Sequence, residues 1–88
     1  MPYIPQSNRP ELDELLQPLL DKLKSLPVEL QDGSLNYSVT RILHGLYDPK
    51  YFNYNRAMGV LSCIQAEFYR RKVAPYEDAK IASDGDVI

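Results

Sequence analysis

The sequence predicts an all-α fold: three main helices with proline kinks and an extended N-terminal arm. Three observations lead there. Apolar residues recur at spacings of three and four in three separate stretches. No segment alternates with period two over the length of a strand. Proline, glycine and Asp-Pro steps fall between the periodic stretches, where connectors belong.

The arm comes first. Residues 1–8 carry prolines at 2 and 5 and no periodicity, which reads as extended chain. Asn8 followed by Glu11 fits a capping box, with Pro10 in the first helical turn. Leu12, Leu15, Leu16, Leu19, Leu20 and Leu23 then keep helical spacing. Pro18 interrupts them, so the first helix is expected to bend there and to run on to about Leu26. Pro27 to Gly33 reads as a connector, with Asp32-Gly33-Ser34 as its turn and Ser34 as the cap of the second helix.

The second helix has Leu35, Val39, Ile42, Leu43 and Leu46 as its stripe and stops before Asp48-Pro49. Asn53 is the expected cap of the third. Its face, Ala57, Leu61, Ile64 and Phe68, is regular, and Met58 and Val60 widen it. This helix is expected to reach about Ala74. Pro75 then kinks or ends it, Tyr76 to Ala82 form a further short helical stretch, and Gly85 marks a stop before a short tail over 83–88.

Eighty-eight residues make one domain, 1–88, with a thin core. Association into a homo-oligomer is the common remedy for so small a core. One cysteine, Cys63, allows no internal disulfide and points to a reducing compartment. With no apolar run of about 20 residues and no signal-peptide pattern at its start, the chain is expected in the cytoplasm, without a membrane partner.

Charge is unevenly spread. Residues 1–32 hold three cations and six acids, residues 33–76 six cations and two acids, and residues 77–88 one cation and four acids. Six of the seven tyrosines lie in the basic middle. The overall charge of −2 argues against a general DNA- or RNA-binding protein.

Catalytic chemistry finds little support. His44 stands alone near a helix end, where interaction with the dipole accounts for it. Cys63 lies between Leu61 and Ile64 and reads as a small hydrophobe. One His and one Cys do not make a zinc site, and Asp84 and Asp86 read as a solvated acidic tail. No enzyme activity, cofactor or metal is therefore expected.

Binding chemistry is denser. Tyr69-Arg70-Arg71-Lys72 and Tyr76 offer guanidinium forks for phosphate oxygens and phenol faces for stacking on bases. The plainer alternative is a solvated helix face with a Glu67–Arg71 pair. Leu35-Asn36-Tyr37 opens the expected second helix, where free backbone N–H groups make an anion seat or are simply capped. Tyr3-Ile4-Pro5-Gln6 reads either as an arm that grips a partner or as a strap anchored by Tyr3 and Ile4 on its own domain.

Taken together, Tyr3-Ile4-Pro5-Gln6 with Arg9, Gly33 with Leu35-Asn36-Tyr37, Glu67-Phe68-Tyr69-Arg70-Arg71, Pro75-Tyr76-Glu77 with Lys80, and Gly85-Asp86-Val87 resemble an uncharacterised family of small bacteriophage and prophage proteins. Asp84 stands where family members often carry Asn. The resemblance implies a phage setting, in the cytoplasm of a bacterial host, and action by binding. The expected function is an oligomeric sponge for a phosphorylated nucleotide immune signal, of cyclic oligonucleotide or ADP-ribose type. Its ligand residues would be Tyr3, Arg9, Asn36, Tyr37, Tyr69, Arg70, Arg71, Tyr76 and Lys80. The alternative is a module that binds or inhibits a host protein, through the arm and Tyr51-Phe52-Asn53-Tyr54.

Overall fold

The computed structural model describes Tyr3–Ile88, and every regular element among those residues is helical. A single 3-10 turn, Gln6–Asn8, leads into α1, Arg9–Ser25; α2, Val28–Leu46, follows after two residues. Then come α3, Tyr51–Phe68, a five-residue π-helical turn, Tyr69–Val73, and α4, Ala74–Asp84. The chain divides into two compact units, residues 1–49 and 50–88.

The first unit is a helical hairpin with the arm folded onto its start. Only Tyr3 to Pro5 of the described arm is non-helical, since Gln6–Asn8 closes one tight turn through Asn8 N–H to the Pro5 carbonyl, 3.0 Å. This replaces the extended chain expected up to residue 8; Met1 and Pro2 lie outside the described residues. The capping box does not form either. Asn8 has near-helical dihedrals, φ −95 and ψ −1, so its side chain is not swung over the helix mouth and makes no cap bond. Pro10 occupies the first turn of α1, where its missing N–H is harmless. Pro18 lies inside α1, which is one helix to Ser25.

The larger departure is at the next connector. It shrinks to Leu26-Pro27, and the segment expected as turn and cap is already helix. Pro27 caps α2 with φ −56 and ψ 147, and its carbonyl receives Leu30 N–H at 2.9 Å. Gln31 Nε2 donates back to the Leu26 carbonyl, 3.1 Å, and Glu29 suits the positive end of the dipole. Gly33 weakens this turn by about 1 kcal/mol relative to alanine, a penalty one such residue can carry inside a 19-residue helix. Ser34, the expected cap, instead accepts from Ser38 Oγ through its own carbonyl, 2.8 Å. Leu19, Leu23, Val39 and Leu43 are half-buried apolar positions of α1 and α2, which are in contact with each other.

The second unit is helical without a break from Tyr51 to Asp84. Lys50, in extended conformation, caps α3 and accepts Tyr54 N–H at 3.0 Å, so the helix starts before the expected cap, Asn53. Pro75 does not end it. A proline ring collides with the carbonyl four residues back in an α-helix, here that of Arg71. The chain instead widens by one residue: Ala74 N–H bonds the Tyr69 carbonyl, an i to i−5 bond, and Pro75 enters as an early residue of α4. Beyond the turn every position is therefore displaced by one around the helix. Tyr76 takes the azimuth that Pro75 would hold in an unbroken α-helix, in line with Ala57, Leu61, Ile64 and Phe68. Gly85, at φ 93, closes α4 through its N–H to the Ile81 carbonyl, 2.9 Å, as its place in the sequence leads one to expect.

Candidate functional site

Arg9 opens α1, and its fork is turned back onto the arm. Nε and Nη2 both donate to the Ile4 carbonyl, at 3.1 and 3.0 Å, while the guanidinium carbon lies 6.0 Å from the centre of the Tyr3 ring. The strap reading of the arm therefore matches the geometry. Two of the five Arg9 donors are spent on a backbone carbonyl. Beneath the strap is an open hollow of about 450 Å³, lined by Tyr3, Ile4, Arg9, Leu12, Asp13 and Leu16 and mostly apolar. Its floor was legible as the i, i+4 pair Leu12 and Leu16, but Asp13 was not singled out. A second hollow, about 250 Å³, lies where α1 and α2 join, lined by Leu20, Leu23, Lys24, Gln31, Asp32 and Leu35.

Asn36 and Tyr37 are in the same unit but not at a helix mouth. With α2 beginning at Val28, they lie in its third turn, where backbone N–H groups are already paired along the helix. The anion seat expected from Leu35-Asn36-Tyr37 is corrected accordingly. Asn36 Oδ1 accepts from Thr40 Oγ1 at 3.1 Å, and the Tyr37 ring is exposed.

The π turn of the second unit gathers Tyr69, Arg70, Arg71 and Lys72 within one turn, with Tyr76 and Lys80 in the next two. Arg70 Nη2 pairs with Glu67 Oε1 at 2.6 Å. The sequence pointed to Arg71 as that partner, at i+4; the ion pair forms with Arg70, at i+3, instead. The pair is largely exposed on the arginine side, so it contributes little to stability, about 0.3–0.5 kcal/mol. Arg71 and Lys72 have no ion-pair partner among the described residues. The Glu77 carboxylate raises the pKa of the Tyr69 phenol above the ordinary 10.0, first as an acceptor for its hydroxyl and then through its negative charge. Glu77 is a member of this cluster that the sequence did not reveal, because eight residues is a neighbour distance only across two helical turns. Lys80 Nζ lies 5.8 Å from the centre of the Tyr76 ring.

The site residues inferred from sequence thus fall into two groups: Tyr3, Arg9, Asn36 and Tyr37 in the first unit, and Tyr69, Arg70, Arg71, Tyr76 and Lys80 in the second. No group of three or more His, Cys, Asp or Glu among the described residues is arranged to hold a metal ion. No helix among them is long and apolar enough to cross a membrane. Cys63 is an exposed free thiol rather than the buried hydrophobe its neighbours suggest.

A family model described as Domain of unknown function (DUF6899) matches residues 1–87. No curated protein and no solved structure matches the chain.

Proposed function

We propose a binding role for this chain, which belongs to the DUF6899 family of unknown function: a non-enzymatic protein, of phage or prophage setting, that sequesters a phosphorylated nucleotide-type signal. The observation that carries this reading is the π turn. It presents Arg71 and Lys72 as cations without an ion-pair partner among the described residues, and Tyr76 with Lys80 follows on the same helix. Arg70 gives one Nη to Glu67 and keeps the rest of its fork. Charged hydrogen bonds to phosphate contribute about 1.5–3 kcal/mol each, and stacking on a tyrosine about 1–3 kcal/mol per base. Single-turn π bulges also recur at functional sites.

The test is a thermal-shift panel of cyclic oligonucleotides and ADP-ribose derivatives, followed by recovery of the ligand after denaturation. A stabilised protein that returns its ligand whole is expected, with binding weakened at least tenfold in R71A/K72A. Both side chains are exposed, so that variant keeps its helices. A ligand returned cleaved would replace sequestration by catalysis.

A second reading, a module that binds or inhibits a host protein, is favoured by the start of α3. Tyr51 is 80% exposed and Phe52 71%, and aromatic residues so placed are typical binding anchors. Absence of any shift across the panel, together with capture of one stoichiometric protein that Y51A/F52A no longer captures, would support it over sequestration.

A further inference from the structure

We infer that the hollow of the first unit, between the arm and the start of α1, is a binding site for an apolar α-amino acid. It is separate from the π turn and does not rest on the sequestration reading.

The shape of the arm is the first ground. A strap that only shielded its own helix would lay Tyr3 and Ile4 on Leu12 and Leu16 and close the space between them. Here the space stays open, at about 450 Å³, within the roughly 300–1,000 Å³ of small-molecule sites. Its apolar walls are still about half exposed, Leu12 at 48%, Leu16 at 53% and Tyr3 at 54%. Taking that surface out of water is favourable in proportion to its area, so the walls select a ligand with an apolar body.

Charge selects the rest of the ligand. Arg9 and Asp13 stand one turn apart on α1, a spacing at which opposite charges ordinarily pair. They form no ion pair; the fork of Arg9 is turned back to the Ile4 carbonyl instead. Asp13 has no hydrogen-bond or ion-pair partner among the described residues. Arg9 keeps three of its five N–H donors. The hollow therefore carries one cation and one anion, held apart, beside an apolar floor.

A simple anion would meet Arg9 but be repelled by Asp13, and a simple cation the reverse. An uncharged apolar molecule leaves both groups unanswered. A zwitterion answers both: its carboxylate accepts from the free guanidinium N–H groups, and its ammonium donates to Asp13. In an α-amino acid the two charged groups sit on one carbon, and the side chain leaves that carbon in a third direction. Leu12 and Leu16 follow Arg9 and Asp13 by three residues each, so floor and charges share one face of α1. Arg9 also fixes the opposite wall, through Ile4 and at 6.0 Å from the centre of the Tyr3 ring.

The test uses the full chain and three probes: L-phenylalanine, phenylacetate, which lacks the ammonium, and phenethylamine, which lacks the carboxylate. Titration followed by amide chemical shifts should show saturable binding of L-phenylalanine, with the shifts concentrated between Tyr3 and Leu16. Each single-charge analogue should bind at least about tenfold more weakly, the loss of one charged hydrogen-bond partner. Asp13→Asn should erase the preference for L-phenylalanine over phenylacetate. Glu14→Gln, whose side chain does not line the hollow, should keep it. Both positions are exposed, so helicity by circular dichroism should be unchanged in the two variants. Leu16→Asn should weaken all three probes alike. No saturable binding of L-phenylalanine overturns the inference. Equal binding of the three probes, or a preference that survives Asp13→Asn, overturns the assignment of a zwitterion.

Discussion

Arg9 holds Ile4 by two bonds to one carbonyl oxygen, Nε at 3.1 Å and Nη2 at 3.0 Å. This contact joins the start of α1 to a segment with no regular structure of its own, so it determines whether the arm is a strap or a free end. Arg9→Ala should release Tyr3 to Pro5 while α1 persists. Hydrogen exchange at the Asn8 amide, which bonds Pro5, should quicken by about tenfold, and stability should fall by about 1 kcal/mol. Arg9→Lys separates fork from charge: an ammonium cannot offer the paired Nε and Nη donors, so it should release the arm as alanine does. An arm equally protected in both variants would show that the apolar contacts around Leu12 and Leu16 hold it unaided.

Tyr69 and Glu77 give the second unit a dependence on alkaline pH. The pKa of the phenol is raised in the folded chain above its unfolded value of 10.0, first by its bond to Glu77 and next by that residue's charge. A group whose folded pKa is raised contributes stability that is fully present below the unfolded pKa and is lost as pH rises through the folded one. The loss therefore falls above pH 10 and not in the neutral range. Glu77→Gln removes the charge and should bring the phenol back toward 10, read as an earlier rise of phenolate absorbance than in the parent chain, with Tyr69→Phe identifying which tyrosine moved. Identical titration curves for the parent and Glu77→Gln would mean the bond is not formed in solution.

Gly85 ends the long helix at φ 93 and ψ 151, a region that residues with a Cβ rarely occupy. No atom lies within 4 Å of an added Cβ, so the strain of Gly85→Ala is in the backbone alone. It should be relieved by fraying: protection of the Gly85 amide bonded to Ile81 should disappear, with Tm falling by less than about 2 °C because the last turn lies outside the apolar stripe. A larger fall would mean that the tail takes part in an interface.

The helical class and the end at Gly85 were legible because they depend on local signals, the spacing of Leu12 to Leu23, of Leu35 to Leu46 and of Ala57 to Phe68, and a glycine where a helix must turn. What was not legible depends on competition or on rotation. Asp32-Gly33-Ser34 has every mark of a turn, but Pro27 six residues earlier is a stronger place to begin, and starting there lets Leu35 join Leu20 and Leu23 around the inter-helix hollow. Pro75 was read as a stop because an α-helix has no room for it; a single wider turn supplies the room, and nothing local in Tyr69-Arg70-Arg71-Lys72-Val73 announces it. Composition located the cations and rings, but which arginine meets Glu67, and that Glu77 acts on Tyr69, depends on side-chain placement that spacing alone leaves open.

Gly33 offers the sharpest check on where α2 begins, because the two accounts of the segment differ in sign. In a turn ahead of a Ser34 cap, a glycine commonly adopts positive φ, and alanine there would be strained and destabilising. Within α2 it has ordinary helical dihedrals, as the only positive φ in the described chain is at Gly85, and no atom lies within 4 Å of an added Cβ. Alanine then gains helix propensity and limits the unfolded chain, a stabilisation of about 1 kcal/mol. For a domain of this size that corresponds to a Tm higher by about 4–8 °C, accompanied by an increase, not a loss, of helical ellipticity. Gly33→Ala with a lowered Tm would return residues 27–33 to a connector and restore Asn36 and Tyr37 to the mouth of a helix, where their backbone N–H groups could again receive an anion.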